Sequence, residues 1–135
     1  MSLFEWKDSY NVNVGIIDEQ HKVLVSLLNN LHDSMSQGKG KEVLSVILND
    51  LVNYTKTHFA TEEKLMSQTV YTKTHSHMAE HEGLTKKAIE LNDDYKNGKV
   101  TMSIEVLNFL KDWLKNHILV MDKELGQYLK SKAIS

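Results

Sequence analysis

The sequence predicts an all-α fold, an antiparallel up-down-up-down four-helix bundle with an N-terminal arm. Three observations predict it. The 135 residues contain no proline, where average usage of about 5% would supply roughly seven, and proline is the residue that helix interiors exclude. Four stretches repeat apolar residues in steps of three and four. Between them lie only short polar breaks: Gly38-Lys39-Gly40, the weaker Ser67-Gln68-Thr69, and Asn97-Gly98. Connections this short make sequential helices antiparallel neighbours.

The elements follow in order. An arm over about 1–17 carries Trp6, Tyr10, Val12, Val14 and Ile16, enough apolar surface to pack across the bundle. The first helix is expected over about 18–37, with Ile17, His21, Leu24, Leu28, Leu31 and Met35 in line and Asp18 capping its start. The second, about 41–66, aligns Leu44, Ile47, Leu51, Tyr54, His58, Glu62 and Leu65. The third, about 72–97, aligns His77, His81, Leu84, Ala88, Leu91 and Tyr95. The fourth, about 101–130, aligns Leu107, Leu110, Leu114, His117, Met121 and Tyr128. Thr101 is placed to cap it, and Glu105 sits in its first turn, where the helix dipole favours an acid. Each helix has one apolar stripe to bury, and the length suits a single domain over 1–135.

Composition removes several function classes. Sixteen Lys and Arg against eighteen Asp and Glu leave a formal charge of −2, which argues against a nucleic-acid module driven by phosphate neutralisation. The absence of cysteine excludes disulfides, thiolate metal sites and a cysteine nucleophile. No apolar run reaches the 18 or so residues of a membrane span. The first residues are acidic where a signal peptide needs an apolar stretch, so a cytoplasmic protein is expected.

Histidine is the outlier, with seven residues. His21, His58, His77, His81 and His117 fall on the core stripes, at least one on every helix, while His32 and His75 fall off them. One histidine on an apolar face is usually a satisfied core residue. Five on four facing helices are not, because each neutral ring needs both nitrogens satisfied and an apolar core offers few partners. Five buried imidazolium charges would repel one another and lose hydration. A metal resolves both problems by accepting the lone pair of each neutral ring.

Glu62 lies four residues after His58, about 40° around an ideal helix, so both point to one place. His77 and His81 share that spacing. Glu63, Glu80 and Glu82 read as surface charges. Asp122 lies five residues after His117, about 140° away. Either a π-type widening brings the two together, or a broad inward face of the helix embraces the centre from both flanks. Five imidazoles and two carboxylates are too many ligands for a single zinc-like ion. Two six-coordinate ions offer about twelve positions. If both carboxylates and one oxide or hydroxide bridge, eleven are filled and one is open. Imidazole suits iron, copper, zinc and nickel, and the carboxylates favour iron or manganese over copper(I). A site richer in histidine than the glutamate-dominated oxidising di-iron bundles leans towards reversible chemistry.

With these residues in place, the chain resembles the hemerythrins, including their single-domain bacterial form. The segments that carry the resemblance are Gly15-Ile16-Ile17-Asp18-Glu19-Gln20-His21-Lys22, His58-Phe59-Ala60-Thr61-Glu62-Glu63, His77-Met78-Ala79-Glu80-His81 and Trp113 through Lys123, with Trp6 as a further match. Together they span essentially the whole chain. The resemblance implies two non-haem iron ions per chain, bridged by oxide or hydroxide, that bind O2 reversibly. It implies that His77, His81 and His117 hold one iron and that His21 and His58 hold the other, which keeps the open position. Glu62 and Asp122 bridge both, and Leu24, Phe59, Trp113, Leu114 and Ile118 line the O2 pocket. Such a protein is an oxygen carrier or store rather than an enzyme. The same ligands would also serve an oxygen or iron sensor, a peroxidase or a nitric-oxide-consuming protein. One departure is visible: many relatives carry Gly-Tyr-Pro before the third helix, where this chain has Val70-Tyr71-Thr72.

Overall fold

The structure, a computed structural model, describes residues 4–99, 101 and 104–134, with the backbone alone at 104, 105, 118 and 119. Its elements are a 3-10 turn at Asp8–Tyr10, then α1 (Gly15–Ser36), α2 (Lys41–Thr69), α3 (Thr74–Lys96) and α4 (Ile104–Asn116). A π-helical segment at His117–Asp122 continues directly into α5 (Lys123–Ser131). The backbone stays helical at both junctions, with φ −65 and ψ −40 at Asn116 and φ −63 and ψ −42 at Lys123. The last three pieces are therefore one rod, the fourth helix of a four-helix bundle. α1 packs on α2, α2 on α3, and α4 returns to α1. Among the described residues there is no strand.

The expected stripes of α1 and α3 face inward. Ile17, His21, Leu24, Leu28 and Leu31 are buried on α1, and His77, His81 and Tyr95 on α3. Each fully buried leucine contributes about 1.5–3 kcal/mol of transfer free energy. The stripe of α2 is broader than expected, adding Leu48, Val52, Thr55, Phe59 and Met66. The fourth helix departs further. Its stripe holds through Leu107, Leu110, Leu114 and His117, but then passes to Asp122, Leu125, Gly126 and Leu129, while Met121 and Tyr128 are only half-buried. The π segment is the cause. It inserts one extra residue per turn, so everything after it is rotated in phase by one position.

Helix ends differ from expectation in several places, α3 for instance starting at Thr74 rather than 72. α1 begins at Gly15, three residues before Asp18, and no side chain caps it. Asp18 instead reaches back over the first turn, accepting from Val12 N–H at 2.7 Å and Asn13 N–H at 3.1 Å. It therefore ties the arm to the helix. The cap expected at Thr101 adjoins residues 102 and 103, which lie outside the described residues, as does the side chain of Glu105. The arm itself packs across the bundle as expected. Phe4, Tyr10, Val12 and Val14 are buried, and Asn29 clamps the Phe4 backbone through two hydrogen bonds of 2.9 and 2.8 Å.

α2 runs past the weak polar break to Thr69 and stops because Val70 adopts φ 54 and ψ 52, the left-handed region. There Tyr71 N–H closes on Met66 O at 3.1 Å, and Tyr71 tucks beside Tyr128 with ring centroids 4.8 Å apart. A β-branched residue in this conformation costs roughly 1–2 kcal/mol. Val70 is 82% exposed, so its side chain recovers little by packing. Val70→Gly is therefore expected to stabilise the protein by about 1 kcal/mol, raising Tm by roughly 3 °C. A thermal melt checks this, and a lower Tm would show that the left-handed valine is not strained.

Candidate metal centre

The apolar core is not continuous. One cluster gathers Leu24 to Leu31 of α1, Leu44 to Leu51 of α2, Tyr95 of α3 and Leu107 to Leu114 of α4. A second gathers Val12, Val14, Ile17, Met66, Tyr71, Leu125 and Leu129. Between these two apolar floors runs a layer of polar side chains. Along α1 the order is Ile17, His21, Leu24. Along α2 it is Leu51, then His58 and Glu62, then Met66. Along the fourth helix it is Leu114, His117 through Asp122, then Leu125. All seven candidate ligands lie in this layer with 0–3% exposure.

The seven side chains form two overlapping groups, each with ligand atoms within 4.8 Å of one another. One is His21, His58, Glu62, His117 and Asp122. The other is Glu62, His77, His81, His117 and Asp122. Glu62, Asp122 and His117 belong to both. Asp122 Oδ2 lies 2.6 Å from His21 Nε2, 3.2 Å from His58 Nε2 and 2.9 Å from His117 Nε2, while its Oδ1 faces His77 Nε2 at 3.2 Å. Glu62 Oε1 lies 3.0 Å from His81 Nε2 and 3.3 Å from His117 Nε2. It lies 3.6 Å from both His58 Nε2 and His77 Nε2. Of the two ways open to Asp122, the helix takes the π-type widening, which spans His117 to Asp122. Hydrogen bonding from i to i+5 brings residues five apart nearly into line, and so cancels the 140° of an ideal helix.

The donor set fits a cation. Both Glu62 oxygens, Asp122 Oδ1 and Nε2 of His77, His81 and His117 are buried without an aligned hydrogen-bond partner, although each histidine nitrogen faces a carboxylate oxygen across 2.9–3.6 Å. Each such group costs about 1–3 kcal/mol when left unsatisfied. Within each group the ligand atoms all lie within 4.8 Å of one another, close enough to share a cation.

Electrostatics agree. Burial and the Asp122 charge push Glu62 up, but the surrounding imidazoles outweigh both and bring it down to about 2. Burial also opposes the Asp122 charge, and His117 beside it holds the carboxyl well below the usual range. Burial disfavours the charged form of His77 and His117, yet the two carboxylates raise His77 to about 9 and His117 to about 10. Burial dominates at His21 and lowers it. In the metal-free protein, then, protons on His77 and His117 balance the two carboxylates. They stabilise that form below the ordinary histidine pKa of about 6.5, and the contribution fades as pH rises through about 9 and 10. A metal must displace them. Metal loading at pH 7 is expected to release about two protons per chain, read with an indicator dye in weak buffer, and affinity should fall as pH drops. Loading without proton release would show that these imidazoles are neutral beforehand.

The sequence reading missed two residues behind the ligands. Glu63, expected to be a surface charge, accepts from His81 Nδ1 at 3.0 Å with its side chain 33% exposed. Gln20 accepts from His58 Nδ1 at 2.8 Å. Both stand beside a ligand or its neighbour in sequence, but spacing alone does not single them out. Glu80 and Glu82 are exposed, as expected. Of the expected pocket residues, Leu24 and Leu114 are fully buried in the first apolar cluster, against which Trp113 packs. Phe59 stacks on His81 at 3.8 Å, the rings nearly parallel at 5°, and sits 5.0 Å from the His117 ring. The side chain of Ile118 lies outside the described residues.

No described helix is long and apolar enough to cross a membrane. A family model, the hemerythrin HHE cation-binding domain, matches residues 12–129. A bacteriohemerythrin of Methylococcus capsulatus is 33% identical over 132 residues, which cover 97% of this chain and 100% of that protein. One of Pseudomonas aeruginosa is 35% identical over 118 residues, covering 87% and 76%. A solved wild-type hemerythrin structure superimposes with a TM-score of 0.88 at 31% identity over 93% of this chain and 97% of that one. With the bundle, the buried histidine–carboxylate layer and these matches in agreement, the chain belongs to the hemerythrin family.

Proposed function

We propose that the protein binds O2 reversibly at a non-haem di-iron centre held by the seven buried side chains. The observation that carries this reading is the pair of overlapping ligand groups, whose shared members include both carboxylates, Glu62 and Asp122, beside His117. Two carboxylates common to two sites are what bridging two cations requires. His77 and His81 would hold one iron and His21 and His58 the other; His117, which lies in both groups, would go with His77 and His81 as the family resemblance implies, leaving the other iron room for a ligand. A ferrous pair held there supplies a binding position for O2 and the electrons that its reversible binding draws on.

The rest falls to the chain's own residues. The two apolar floors keep water from the layer, Leu24 and Leu114 closing it on the side of the first cluster. Phe59 and Trp113 fill the space beside His81 and His117. Glu62 and Asp122 offset the charge of the cations, and the hydrogen bonds of Gln20 and Glu63 hold the rings of His58 and His81 with Nε2 inward.

Metal analysis and stopped-flow mixing test the reading together. Two irons per chain and an oxygenated form that persists and reverses under vacuum are expected. Rapid turnover with peroxide or nitric oxide would instead make the centre a redox enzyme. Leu114→Asn should shorten the life of the oxygenated form by about tenfold or more by wetting the pocket, whereas the exposed Lys115→Gln should not. Equal lifetimes would refute the assigned lining.

A further inference from the structure

The two halves of the polar layer are supported from behind by different chemistry. His58 belongs only to the first ligand group and His81 only to the second. Behind His58, a chain of hydrogen bonds leaves no ambiguity of direction. Thr61 Oγ1–H donates to Thr57 O at 3.1 Å, so the hydroxyl's one proton is committed. It therefore accepts from Gln20 Nε2 at 2.9 Å. That turns the amide oxygen of Gln20 towards His58 Nδ1, which must carry the proton it donates across 2.8 Å. Behind His81 stands the carboxylate of Glu63, which can only accept, at 3.0 Å. Glu63 reaches it from the groove between α2 and α3, a cavity of about 890 Å³. Both rings thus spend Nδ1–H outward and turn Nε2 to the centre, one with a neutral acceptor behind it and the other with an anion.

The difference has a chemical consequence. An anionic acceptor draws the Nδ1 proton more strongly than an amide does, which leaves more negative charge on the ring and makes Nε2 the better donor. The stacked Phe59 ring limits how far His81 can turn, so at this ligand the hydrogen bond sets donor strength more than direction. We propose that Glu63 and Gln20 are positioning residues that set the donor strength of His81 and His58 apart, so that the metal position served by His81 is made the tighter and the more easily oxidised. The proposal rests on the two-metal reading above.

Glu63→Gln, isosteric and partly exposed, removes the charge but keeps an acceptor, and Gln20→Glu adds the charge on the other side. Two measurements read them: stepwise zinc binding by chelator competition, and one-electron potentials of the iron-loaded protein. In Glu63→Gln, one binding step should weaken by about 10–100-fold with the other unchanged, and one potential should rise. Glu63→Asp should recover part of both. In Gln20→Glu, the weaker step should tighten and the two potentials should draw together. If Glu63→Gln weakens both steps equally, or neither, while two metals still bind, the role given to Glu63 is refuted and the di-iron reading survives. If the unaltered protein takes up fewer than two metals, the di-iron reading fails first.

Discussion

Asp122→Asn is expected to empty one of the two metal positions. Asp122 touches four of the five histidines through its two oxygens and belongs to both ligand groups. An amide of the same shape keeps the packing but loses the charge that offsets two cations. Iron content should fall from two per chain towards one, and any magnetic coupling between the ions should vanish. The metal-free fold should suffer as well. His77 and His117 hold their protons because the carboxylates face them, and removing one partner of a buried charged cluster costs about 3 kcal/mol or more. The expected drop in Tm is on the order of 10 °C. His32→Gln, outside the cluster, should leave iron content and Tm unchanged. A variant that retains both irons with their coupling would show that Asp122 does not bridge.

Gly126→Ala is expected to loosen the arm. On helix propensity alone, this change in α5 should stabilise by about 1 kcal/mol. The structure reverses the sign. A Cβ at Gly126 would stand 2.5 Å from Val12 O and 2.8 Å from Val12 Cβ, because the arm crosses the fourth helix there. Overpacking of this kind costs about 1–3 kcal/mol, so Tm should fall by several degrees. Since the nearest atom is a backbone carbonyl, Val12→Ala should not restore it. Proteolysis within residues 4–14 should accelerate in the variant. A gain in Tm would place the arm elsewhere.

The sequence by itself determined the bundle and the five histidines. Proline-free helices with stripes every three or four residues depend on neighbours within one turn, and that information is local. His58 with Glu62, and His77 with His81, are legible for the same reason, since each pair shares a face of one helix. The existence of the Asp122 problem was also legible, as a spacing of five that an ideal helix cannot accommodate.

Only the tertiary structure chose its solution. The π segment at His117–Asp122 breaks the regular ladder, and its gain is contact between Asp122 and imidazoles on α1, α2 and α3, partners from 45 to 101 positions away in the chain. That one choice then rotated Leu125, Gly126 and Leu129 inward in place of Met121 and Tyr128. The roles of Glu63, Gln20 and Asp18 were decided in the same way. The spacing of Glu63 and Gln20 points nowhere in particular, and that of Asp18 points to a helix cap that does not form. What each one does depends on the atom that another segment brings within 3 Å: the His81 ring for Glu63, the His58 ring for Gln20 and the arm's N–H groups for Asp18. Periodicity reports which face of a helix is buried, but the partner waiting there is set by packing between elements distant in sequence.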